Sequence, residues 1–138
     1  MVPGMFIPPS QQNCPFCLHN WGKLDIVDRA SFFYDPPWAI IRPLDPVTPG
    51  HVLVISGGHA GSAAENPEQA GKLFTAAARY VAREAIQANI ITSIGTFATQ
   101  SVKHTHIHVV PRVERDLLHL PWTGQKERQM AAAEKQDS

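Results

Sequence analysis

Residues 104–110 read His-Thr-His-Ile-His-Val-Val, and strict alternation of this kind leaves few choices for how the chain folds. A period of two, carried by Thr, Ile and Val, predicts a β-strand with the imidazoles of His104, His106 and His108 on one face and an apolar row on the other. Side chains sharing a face of a strand sit roughly 7 Å apart, twice the rise per residue. That spacing suits imidazoles ranged along an anionic substrate, or a metal beside a reacting group, better than three ligands on one ion. A single histidine on a strand is ordinarily structural or solvent-facing. Three in alternation on a β-prone segment point to function.

The rest of the chain has to supply the sheet in which such a strand sits. Two short strands are expected over residues 24–27 and 31–34, joined by a turn, then strands over 38–42 and 51–56. Between the last two, the proline-rich run 42–50 forms an ordered loop, because proline removes ladder donors. Asn66-Pro67-Glu68-Gln69 opens a helix. Asn66 can accept a backbone N–H as N-cap, Pro67 has no donor to waste at the first position, and Gln69 can complete a capping box. Ala70, Leu73, Phe74, Ala77, Val81 and Ala85 follow at helical spacing, a core stripe of about five turns with its end near Asn89. Residues 90–94 read as a buried strand, 95–103 as a polar loop and 104–111 as the last strand. Leu117, Leu118, Leu120 and Trp122 are apolar enough to dock on the body, and residues 125–138 form a polar tail, a frayed helix or disordered. Strands, one long helix and two more strands make an α+β fold, an antiparallel sheet of about five strands with the helix packed on it. With 138 residues the chain has room for one domain, its core spanning 14–112 and an irregular lead-in occupying 1–13.

Lys and Arg together equal Asp and Glu at 12 each, so no net field favours polymeric nucleic acid or an anionic membrane. Any phosphate site must come from local geometry. Neither a G-x-G-x-x-G nor a P-loop pattern is present, which sets aside the Rossmann and Walker sites. No run approaches the roughly 20 apolar residues of a membrane-spanning helix, and the first ten residues lack a basic stretch followed by an apolar core. A cytoplasmic protein is expected. Cys14 and Cys17 are the two cysteines, and C-x-x-C in a reducing compartment is either half of a zinc site or a redox pair. A thioredoxin-like pair opens a long helix, whereas Leu-His-Asn-Trp-Gly after Cys17 starts a helix poorly, so zinc is favoured provided two further ligands exist.

These residues carry a resemblance. His104-Thr105-His106-Ile107-His108-Val109-Val110 is similar to the motif of the histidine triad (HIT) superfamily of nucleotide hydrolases and transferases. Three further pieces agree in order: Pro49-Gly50-His51-Val52-Leu53-Val54-Ile55, then His59, then Gln100-Ser101-Val102. The resemblance implies that His106 attacks the α-phosphorus of a nucleotide ester, anhydride or phosphoramidate and forms a nucleotidyl-imidazole intermediate. His108 and His51 would donate to the α-phosphate oxygens as charge builds there, and Ser101 would stand near the leaving atom. Gln100, Ser93 and Asp45 fall on the substrate side. Pro43 stands where many members carry Asp or Asn at the start of the ribose-binding loop, with Asp45 two residues on, and Ser93 stands where relatives often have Asn. One branch, similar to galactose-1-phosphate uridylyltransferase, binds zinc through a C-x-x-C, a His after the Gly-His strand and the first triad His. Carried over, that set is Cys14, Cys17, His59 and His104, a closed structural site. Family habit further implies a homodimer with a nucleotide as its small-molecule partner. The alternative is a zinc-stabilised nucleotide-binding or interaction module without catalysis.

Overall fold

The computed structural model describes residues 6–31, 35–120 and 130–134. Its centre is an antiparallel sheet of five strands, β1 (Asp25–Ala30), β2 (Trp38–Arg42), β3 (Val52–Ser56), β4 (Ala88–Ile91) and β5 (His106–Pro111). The spatial order is β1-β2-β3-β5-β4, with every neighbouring pair antiparallel. The one long helix, α1 (Pro67–Glu84), connects β3 to β4 and lies on one face. The α+β architecture is the one implied by the order of patterns along the chain. Among the described residues no helix is long and apolar enough to cross a membrane.

Alternation along the strands divides the apolar residues between two layers. Ile40, Val52, Val54, Ile107 and Val109 face α1 and pack on Leu73, Ala76 and Ala77. Ala39, Ile41, Leu53 and Ile55 face the other way and are covered by Phe16 and Trp21 of the N-terminal segment. β3 lies between β2 and β5 with both faces covered, which is why it reads Val-Leu-Val-Ile-Ser without a polar alternate. The histidines belong to the second layer, since Ile55 pairs with His106 and Leu53 with His108.

Several boundaries differ from those the sequence suggests, each for a physical reason. A single strand, Asp25–Ala30, replaces the first of the two expected over 24–27 and 31–34; Ser31 is outside it and residues 32–34 lie outside the described residues. Asp28 and Arg29 look like a turn but sit on an edge strand, where alternate residues meet water and charge guards against stray pairing. The helix ends at Glu84, five residues before Asn89, which lies in β4. Ala85 takes the left-handed conformation at φ 53°. Its N–H donates to Ala82 O at 3.3 Å, and the Ile86 N–H donates to Val81 O at 3.3 Å, a Schellman closure with Ile86 packed into the core. Ala85 is therefore a cap, not part of the stripe. At the other end Asn66 Oδ1 accepts the Gln69 N–H at 3.1 Å, as expected. The capping box stays half closed, because Gln69 Nε2 donates to Gly58 O at 3.0 Å instead. That bond ties the helix start to the turn leading into His59. The fourth strand is Ala88–Ile91, displaced from the expected 90–94. Leu117 does not dock; it is 84% exposed, whereas Leu118 and Leu120 are half-buried. The expectation for Trp122 falls outside the described residues, and within the tail 130–134 are helical.

Candidate active site and metal centre

β5 begins at His106, two residues later than the alternation predicts, and the whole site follows from this difference. Thr105 donates its N–H to Ala60 O at 2.9 Å, and the His104 ring is 2.8 Å from Ser56 O through Nε2. Both partners lie beyond or at the end of β3, so the chain leaves the ladder at this point to meet them. His106 and His108 stay on one face of the strand with ring centroids 5.1 Å apart, while His104 belongs to a second cluster.

In that cluster Cys14, Cys17, His59 and His104 bring one ligand atom each to within 4.8 Å of one another. Cys14 Sγ is 3.4 Å from His104 Nδ1, Cys17 Sγ is 3.3 Å from His59 Nδ1 and 3.6 Å from His104 Nδ1, and the two imidazole Nδ1 atoms are 3.2 Å apart. Metal bonds of about 2.0–2.3 Å in tetrahedral geometry put neighbouring ligand atoms roughly 3.3–3.8 Å apart, so the four donors fit a single ion. His104 is fully buried, and with Nε2–H donating to Ser56 O its Nδ1 keeps a lone pair for the metal. Burial holds its pKa down to about 4, helped by His59 and His106 and opposed by the Ser56 hydrogen bond, so the ring is neutral at pH 7. Without an ion, burial and the neighbouring Cys14 push the Cys17 thiol up to about 12. A cation would reverse this, since a coordinating thiol deprotonates. Asn20 Nδ2 fixes the turn by donating to Cys14 O at 2.7 Å, and Trp21 Nε1 donates to Phe16 O at 2.8 Å.

The other cluster comprises His51, His106 and His108. His106 Nδ1 is 2.8 Å from His104 O. A carbonyl only accepts, so Nδ1 carries the proton and Nε2 presents a lone pair. His51 is fixed from the opposite side: the Val47 N–H donates to its Nδ1 at 3.0 Å. His51 Nε2 therefore bears hydrogen and donates to His108 Nδ1 at 3.0 Å, which leaves His108 with its proton on Nε2. One backbone N–H sets two tautomers in series. Burial lowers the pKa of all three; that of His108 falls to about 4, with His106 and His51 adding to the desolvation. The site holds neutral imidazoles, one offering a lone pair beside another offering an N–H.

His51 lies beside His108 and is engaged at both nitrogens, by the Val47 N–H and by His108. Asp45 is exposed in the loop before His51, Ser93 is half-buried just after β4, and Ser101 is exposed ahead of the triad. No hydrogen bond joins these three to the triad imidazoles among the described residues. Gln100 is buried, and its amide bonds to backbone groups. Phe16 was missed by residue-type reasoning. Its ring meets His106 edge-on at 5.3 Å and His104 at 6.0 Å, supporting both clusters. An apolar residue enclosed by the two cysteines of a C-x-x-C was the available signal. Thr92, whose Oγ1 donates to His106 O at 2.9 Å, had none.

Comparison with known proteins identifies relatives of the chain. Protein hit of Bacillus subtilis is 31% identical over 107 residues, 73% of this chain and 72% of that protein. The adenylylsulfatase HINT3 of Arabidopsis thaliana is 27% identical over 114 residues, 78% of this chain; the match spans 56% of the plant protein, little more than half its length. Among solved structures, a Zn-bound histidine triad family protein from Mycobacterium smegmatis superposes with a TM-score of 0.64 at 30% identity, covering 90% of this chain and 94% of that one. The family model of the HIT domain matches residues 27–115, and with the His-x-His-x-His run that leads into β5 this places the chain in the HIT family.

Proposed function

We propose that this chain is a nucleotide hydrolase or nucleotidyl transferase working through a nucleotidyl-His106 intermediate, with zinc held by Cys14, Cys17, His59 and His104. One observation carries the reading: the Nδ1–H of His106 is committed to the His104 carbonyl, so its other nitrogen, Nε2, is unprotonated and able to act as a nucleophile. Nε2 forms a bond to the α-phosphorus while the bond from phosphorus to the leaving group breaks. His108 Nε2–H donates to an α-phosphate oxygen, a bond that strengthens as charge gathers there, and His51 keeps His108 in the donating tautomer. Ser101 passes a proton to the leaving atom and takes one back from the solvent to which it is exposed. Water, or an acceptor alcohol in a transferase, then displaces His106 and releases the nucleoside monophosphate or its ester. Asp45 and Ser93 serve the ribose and the leaving group.

Bound zinc supplies structure only, because four protein ligands leave no open position. The metal would fasten the N-terminal turn to the residue whose carbonyl orients His106. The Mycobacterium relative binds Zn and the Arabidopsis relative is named for cleaving an adenylyl sulfate, which supports both halves of the reading. The same reading places the chain in the cytoplasm, where the thiols stay reduced, and gives it a second copy as partner. Assays on adenosine phosphoramidate, a dinucleoside polyphosphate and a sugar nucleotide, with wild type beside His106→Asn, test it. Turnover and an acid-labile covalent nucleotide are expected in wild type, and neither in the variant, with metal content unchanged. Turnover surviving in the variant sinks the nucleophile assignment. Tight nucleotide binding without any covalent adduct selects the non-catalytic module instead.

A further inference from the structure

Gln100 is 4% exposed, and the donors of its carboxamide are engaged inside the protein. Oε1 accepts the Gly95 N–H at 2.9 Å, while Nε2 donates to Gly61 O at 2.7 Å and to Val102 O at 3.0 Å. The backbone joins in. Gln100 N–H donates to Gly95 O at 3.1 Å, and Lys103 Nζ donates to Gln100 O at 2.9 Å and to Thr96 Oγ1 at 3.0 Å. The loop from Gly95 to Lys103 is closed on itself by these bonds and moored to Gly61 by one of them.

Gly61 lies two residues beyond His59, and Ala60 between them accepts the Thr105 N–H at 2.9 Å. Segments 59–61 and 100–105 therefore meet at three points: the ligand pair His59 and His104, the pair Ala60 and Thr105, and the pair Gly61 and Gln100. Ser101, exposed, directly follows the buried amide. Both N–H groups of Nε2 are used on carbonyls, so Gln100 has no donor left for a ligand. We propose that Gln100 is a positioning residue that holds the Ser101 hydroxyl at the leaving atom by mooring its loop to Gly61, and that it does not itself touch substrate. The inference rests on the role given to Ser101 in the proposed reaction.

A misplacement of about 1 Å at a proton donor costs roughly 100-fold in rate. The test uses the full zinc-loaded chain with Gln100→Leu, Gln100→Glu, Ser101→Ala and the double variant Gln100→Leu/Ser101→Ala. Each is assayed on two adenylates, an alkylamine phosphoramidate, whose departing nitrogen needs a proton, and a nitrophenyl ester, whose oxygen does not. Gln100→Leu should lower kcat on the amidate by roughly 100-fold, change KM by less than about twofold and spare the ester. In the Ser101→Ala background it should cost nothing further. Gln100→Glu keeps an acceptor for Gly95 but sets an oxygen against the Gly61 carbonyl, and should repeat the pattern if the leucine variant folds poorly. Equal losses on both substrates with a raised KM, or additive effects in the double variant, overturn the proposal. If Ser101→Ala fails to distinguish the two leaving groups, the Ser101 assignment falls first, and that result is distinct from either of the others.

Discussion

Phe16 supports both histidine clusters at once, and replacing it with Ala makes that support measurable. The ring is 8% exposed. About nine-tenths of the roughly 150 Å² that such a ring buries is therefore out of water, worth about 3.5 kcal/mol at about 25 cal/mol per Å². Its edge contacts with His104 and His106 belong to a class that adds about 0.5–1.5 kcal/mol, whereas the extended-chain reference makes the burial figure an upper estimate. The two corrections oppose each other, and a loss of about 3–4 kcal/mol is expected by urea denaturation at neutral pH. Phe16 also stands between the two cysteines in the chain, and its ring meets His104 edge-on. Its loss should weaken zinc about tenfold, so the loaded protein should lose about 1.4 kcal/mol more than the stripped one. Competition with a chromogenic chelator reads the same tenfold directly. A loss below about 1 kcal/mol in both forms would refute the packing argument. Equal losses in the two forms with unchanged metal affinity would refute the claim that ring and metal brace one another.

Two further outcomes follow from the hydrogen bonds and the backbone. The folded pKa of His108 lies near 4 against an ordinary 6.5, so the unfolded chain binds the extra proton and stability is lost as pH falls from about 6.5 toward 4. After allowance for the ring's partial exposure, about 2 kcal/mol of the wild-type loss between pH 7 and 4 should vanish in His108→Gln, measured by paired urea melts; identical slopes in the two proteins count against a neutral buried pair. Ala85 adopts φ 53° at the helix end, and Ala85→Gly should raise stability by about 1 kcal/mol, visible as a higher denaturation midpoint at unchanged slope; a fall would mean the left-handed cap is absent in solution.

The parts of this molecule legible from sequence are those whose cause is local. Asn66 caps α1 because its oxygen reaches the third N–H of its own helix, and β3 is buried because five consecutive residues can bear it. The parts that were not legible are decided by groups far along the chain. The helix ends at Ala85, a residue with no preference for the left-handed region, because Ile86 gains a place in the core. Gln69 abandons its capping box because the Gly58 carbonyl is beside it, and nothing in residues 66–69 records this. The same distinction explains why the triad could be recognised but not resolved. Alternation predicted His104, His106 and His108 in one row. The Ser56 carbonyl, 48 positions away, and the Ala60 carbonyl, 45 from Thr105, draw the first of them out of the ladder. A His104 carbonyl paired in the ladder would have had its partner across the strand. Freed from it, the carbonyl turns to His106 Nδ1 at 2.8 Å and fixes which nitrogen keeps its lone pair. The departure from regular β-structure is thus what joins the cluster of Cys14, Cys17, His59 and His104 to the tautomer of His106. Loss of any metal ligand should consequently impair His106 through the position of that one carbonyl.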